Sequence, residues 1–86
     1  MSKEFNQGQQ TIHREMEATF NQACIHNLSI SHVTHGSGAT DTAFRVVVNS
    51  RSEEVLFTGD EIEDSARALD SFAATKVRML VSRFSG

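Results

Sequence analysis

From Asp60 to Phe84 the chain carries Ile62, Ala66, Leu69, Ala73, Val77, Leu80 and Phe84 at steps of three and four. Residues so spaced share one stripe of a 3.6-residue helix, so the spacing predicts one long amphipathic helix whose stripe must be buried. Gly59 breaks the pattern ahead of it, and Asp60 with Glu63 three residues on has the form of a capping box. Asp60, Glu61, Glu63 and Asp64 fill the first turn, while Lys76, Arg78 and Arg83 fall towards the end, which complements the helix dipole. The rest of the chain has to supply a surface for that stripe.

Three strands can do so. Leu28 to His35 alternates, with Leu28 and Ile30 opposed to Ser29 and Ser31 until Val33 falls out of phase, which suggests a bulge near His32. Gly36 to Thr42 is small and polar throughout and reads as the most flexible internal loop. Ala43 to Asn49 is the clearest strand, with Phe44, Val46 and Val48 on one side and Arg45, Val47 and Asn49 on the other. Ser50 to Ser52 reads as a hairpin turn, and a strand from Glu53 or Glu54 to Thr58 follows with Val55 and Phe57 in phase.

Upstream, Ile12, Met16, Phe20 and Ala23 or Cys24 mark one face of a helix from Thr11, or a turn earlier, to about Cys24, with Asn27 as its stop. Residues 1–10 are polar, with only Phe5 to anchor them, and are expected to form a flexible N-terminal segment ahead of a single domain over 11–86. The fold class that results is α+β, in the order α-β-β-β-α. It is a three-stranded antiparallel meander with two helices on one face, a two-layer sandwich.

Composition narrows the function. A chain of 86 residues buries roughly 60% of its unfolded surface, and six phenylalanines without tryptophan or tyrosine must supply the bulk of the core. A net charge of −3 disfavours nucleic acid, because phosphate backbones are gripped by clustered Lys and Arg. The element order is shared with the double-stranded RNA-binding domain, but that module needs lysines where this chain has Asp60, Glu61, Glu63 and Asp64. One cysteine, Cys24, precludes an internal disulfide and suits a reducing cytosol. No apolar run approaches a membrane span, and no secretory signal is evident at the N-terminus. Asn27-Leu28-Ser29 has the form of a glycosylation acceptor, which on a cytosolic chain is a chance match.

Catalytic and metal chemistry find little purchase. Cys24, His26, His32 and His35 are zinc-ligand types within one short stretch, yet on a regular strand His32 and His35 point to opposite faces and match no paired-ligand spacing. A small-ligand or metal-binding module built on them is the alternative reading. Cys24 lies on the inner face of the first helix, where it reads as a small apolar residue, with no third group to orient His26 as its base. Gly36-Ser37-Gly38 opens no helix and is followed by no third glycine. The acidic first turn is explained by solvation. No enzyme and no cofactor is expected.

The surplus on the long helix does carry information. Ala68, Phe72 and Met79 lie off the main stripe and Val81 widens it, so this flank either packs against the first helix, whose Met16 and Phe20 need a partner, or is a broader apolar arc than one small sheet shelters and is shared with another chain. The strand Val55-Leu56-Phe57, apolar on both faces, adds an open sheet edge. Both features predict association, either as a homodimer or with another protein. The predicted surface is Ala68, Phe72, Met79, Val81 and Phe84, with Arg78 and Arg83 orienting a partner from its rim.

In size, in the helix around Met16-Glu17-Ala18-Thr19-Phe20, in the strand Phe44-Arg45-Val46-Val47-Val48 and in the long closing helix, the chain resembles the small antiactivator proteins of bacterial quorum sensing that bind a LasR-type receptor. That resemblance rests on layout and covers most of the chain. It implies a non-enzymatic homodimer whose apolar helix surface occupies a transcription factor and keeps it from dimerising on DNA.

Overall fold

The structure, a computed structural model, describes residues 3–34 and 41–85. The elements run α1 (Lys3–Gln22), β1 (Leu28–Thr34), β2 (Thr42–Val48), β3 (Arg51–Phe57), α2 (Gly59–Asp64) and α3 (Ser71–Ser85). The strands form one antiparallel sheet in the order β1-β2-β3, and the helices cover one of its faces. The α+β meander expected from the strand patterns is therefore present. Period-2 alternation decides the inner face: Phe44, Val46 and Phe57 are buried, and Leu28, Ile30 and Val55 pack at the margin of the same core.

Several local expectations are corrected. β1 pairs with β2 in unbroken register from Leu28↔Val48 to Thr34↔Thr42, so there is no bulge at His32. Val33 instead stands exposed on the open face, level with Ala43 and Leu56. The second hairpin turns at Asn49 and Ser50, between Val48 and Arg51, and not at Ser50 to Ser52. Asn49 takes a φ of 57°, a left-handed conformation that asparagine tolerates. The segment 35–40, with most of the expected loop and His35, lies outside the described residues.

The first helix begins at Lys3 rather than Thr11, so most of the segment set apart as flexible is helix. Phe5 is 2% exposed in the common core. Gln9 is buried, and its side-chain nitrogen donates to Thr34 Oγ1 and to Thr42 Oγ1, each at 3.0 Å, clamping together the last pair of the β1-β2 ladder. Both amide protons are used, and among the described residues no buried side-chain nitrogen or oxygen is left without a partner. Gly8 supplies the approach. A Cβ built there would collide with the Ile62 carbonyl oxygen and lie 2.6 Å from its carbon, so α1 meets the backbone of α2 where only glycine fits.

The helix ends in a Schellman motif. Ile25 N–H donates to the Phe20 carbonyl at 2.9 Å and Cys24 N–H to that of Asn21 at 3.0 Å, with Cys24 left-handed at φ 63°. The stop is therefore Cys24 and not Asn27. The cysteine is exposed, not on the inner face.

The closing helix is two helices. α2 is capped by Thr58, one turn ahead of the core residue Ile62. The Thr58 hydroxyl accepts from Glu61 N–H at 3.3 Å, and Glu61 Oε1 accepts from Thr58 N–H at 2.8 Å. The capping box is thus Thr58 with Glu61, not Asp60 with Glu63. At the break, buried Ser65 donates to the Glu61 carbonyl at 2.8 Å and accepts from Asp70 N–H at 3.0 Å. Asp70 then caps α3, its Oδ2 accepting from Phe72 N–H at 3.0 Å and Ala73 N–H at 3.4 Å. Side chains that bond the backbone compete with helix continuation, which is why a continuous stripe is interrupted.

Gly8→Ala tests the α1-α2 crossing by its sign. In an open helix the change stabilises by about 1 kcal/mol. Here a backbone collision outweighs that gain, at a typical overpacking cost of about 1–3 kcal/mol. Thermal denaturation should show the melting temperature lowered by about 5 °C or more. An unchanged or raised value would mean that the two helices do not meet at Gly8.

Candidate functional site on the outer face of α3

Once Asp70 fixes its start, α3 turns Ala73, Val77, Leu80 and Val81 into the core. Phe72 and Met79 are left out, at 72% and 55% exposed. Seven residues apart, they stand on one side of the helix about 10 Å from each other. Lys76 and Arg83 lie on that same side, at steps of four from Phe72 and from Met79. Beside Met79, a depression of about 120 Å³ runs between α3 and β3, lined by Val55, Lys76, Met79, Leu80 and Arg83.

The predicted surface is only partly assembled. Phe72, Met79 and Arg83 come together. Val81, 9% exposed, belongs to the core and cannot insert into a partner. Phe84 is half-buried, its ring edge-on to Phe20 at a centroid separation of 5.6 Å, with the Arg51 guanidinium 5.2 Å from its own centroid. Ala68 is exposed but lies in the break before α3. Arg78 is exposed on a different side of the helix, donating to Thr75 Oγ1 at 3.4 Å. Arg83 is tethered: Nη1 lies 3.4 Å from Glu53 Oε1, and its carbonyl accepts from Arg51 at 2.8 Å.

Lys76 is the residue that apolar periodicity does not mark. Its Nζ donates to Glu61 Oε1 at 2.7 Å and to the Leu56 carbonyl at 2.9 Å. It thereby joins α3 to the cap of α2 and to the edge of β3. Because the Leu56 carbonyl points away from β2, the backbone groups of Ser52 and Glu54 point outward too, as alternation along an antiparallel strand requires. The β3 edge is thus engaged at Leu56 and open further along.

The charge on Glu61 holds this junction. Partial burial pushes its pKa up, but the Lys76 hydrogen bond, the Thr58 backbone and hydroxyl donors and the Lys76 charge together hold it below the usual glutamate range.

The cysteine and histidines do not converge. His13 pairs with Glu17 at 2.9 Å, and His26 Nδ1 lies 3.2 Å from Asn21 Oδ1. The His32 ring packs on Phe44 at 5.1 Å between centroids. Burial, and then the charge of His13, lowers its pKa. Among the described residues, no three Cys, His, Asp or Glu side chains are grouped to hold a metal ion. Nor is any helix among them long and apolar enough to cross a membrane.

No protein-family model, curated protein or solved structure matches this chain.

A carboxylate whose folded pKa is depressed stabilises the fold above its ordinary value and loses that contribution as pH falls through the folded one. Part of the acid sensitivity of thermal stability below about pH 4.3 is thus assigned to Glu61. Melting curves of Glu61→Gln should start lower at neutral pH and converge on the unaltered protein in acid. A constant gap at all pH values would contradict an ionised Glu61 at this junction.

Proposed function

We propose that this chain is a non-enzymatic, protein-binding regulator, a homodimer that works by occluding a partner protein. The observation that carries the reading is the pair Phe72 and Met79, large apolar side chains left in solvent on one side of a helix whose opposite side is packed in the core. Aromatic and methionine side chains anchor adaptable interfaces, because each removes much apolar area from water when covered. Arg83 and Lys76 flank the pair and supply the polar rim that orients a partner. The resemblance in layout to quorum-sensing antiactivators supports a transcription factor as the partner class, and the lone cysteine supports a cytosolic setting.

Light scattering tests the self-association. A mass of twice the chain's 9.5 kDa is expected, with Phe72→Asp and Met79→Asp each shifting the protein towards monomer. Both side chains are exposed on the folded chain, so each variant should keep the helical circular dichroism of the parent, with its melting temperature lowered only by the loss of dimer linkage. A monomer at every concentration, or a dimer indifferent to both charges, would remove the basis for this reading.

A further inference from the structure

A cavity of about 580 Å³ opens between α1 and the segment that joins α2 to α3. Lys3, Gln7, Gln10 and Arg14 line it from α1, at steps of four and three that place them on one stripe of that helix. Arg67 lines the other wall, brought there by the break that Ser65 and Asp70 impose. Thr11 ties the two walls, its hydroxyl donating to the Ala66 carbonyl at 3.4 Å.

Charge is what sets this cavity apart. Among the described residues, Lys3, Arg14 and Arg67 take part in no ion pair, and Glu4 is the one acidic residue that lines the cavity with them. A chain with net charge −3 thus gathers three cations against one carboxylate around one concavity, and that surplus of positive charge is relieved when an anion enters. The volume lies within the range of small-molecule sites and well above that of a bare oxyanion. The Gln7 and Gln10 amides can both donate and accept, as hydroxyl groups require, while Ala66 is the one apolar residue of the lining among the described residues.

We propose that this cavity binds a small phosphomonoester with a hydroxylated body, of the sugar phosphate class. Arg14 and Arg67 grip the phosphate from opposite walls, Lys3 adds charge, and the glutamines bond the hydroxyls. A tetrahedral phosphate offers oxygens in several directions, which suits cations arriving from two walls. A planar carboxylate is satisfied by one guanidinium fork. The inference uses no residue of α3 and stands or falls apart from the dimer reading.

Titration of the isotopically labelled protein with glucose 6-phosphate, followed by amide NMR shifts, tests it. The expected result is saturable shifts at Gln7, Gln10, Arg14 and Arg67, with inorganic phosphate binding more weakly at the same place. Arg14→Gln combined with Arg67→Gln should weaken binding by about tenfold or more, since charge-assisted hydrogen bonds are lost. Both arginines are exposed, so the melting temperature of the ligand-free double variant should match the parent. Absence of saturable shifts at millimolar ligand, equal affinity in the double variant, or citrate binding as tightly as the phosphomonoester would overturn the proposal.

Discussion

The backbone of α1 touches the backbone of α2 at Gly8 and Ile62, and much of the molecule depends on that approach. Without a side chain at Gly8 the two helices close far enough for Phe5, Ile12 and Ile62 to share one core with Phe44 and Phe57. The same closeness sets Gln9 over the end of the β1-β2 ladder and Thr11 against the Ala66 carbonyl. A chain this short has little core to spare, so bringing the first two turns of α1 into the structure adds apolar burial that a free N-terminus would forgo.

The break between α2 and α3 is the second constraint, and it has consequences on two sides of the molecule. Ser65 and Asp70 divert hydrogen bonds from the helix and let the chain change direction. Arg67 is thereby placed beside α1, completing the cationic cavity. α3 is reset so that its inner stripe meets the sheet while Phe72 and Met79 remain outside. Lys76 then fastens α3 to Glu61 of α2 and to the Leu56 carbonyl at the edge of β3, so that one ammonium group joins three elements.

The strands were legible because a buried strand face repeats every second residue, and Phe44, Val46, Val55 and Phe57 obey that period with few exceptions. The outer pair Phe72 and Met79 was legible for a related reason, since both fall off the stripe that the core claims. The N-terminal turns were not. Gly8 and Gln9 read as polar punctuation, and their burial depends on partners at Ile62, Thr34 and Thr42 that local sequence does not reveal. The helix break was hidden by its own periodicity, for Ile62, Ala66, Leu69 and Ala73 keep helical spacing across it while the backbone does not. Val81 was misplaced with it, because a single straight helix and a reset α3 present different arcs to the core.

Hydrogen exchange at individual amides measures most directly whether α1 is locked from its first turns. Amides from Gly8 to Ile12 should exchange nearly as slowly as those of Val77 and Leu80, because all of them open only with the common core. Exchange of Gly8 to Ile12 at the rate of an unstructured peptide, with Val77 and Leu80 still protected, would contradict an α1 held at Gly8 and the cavity built upon it.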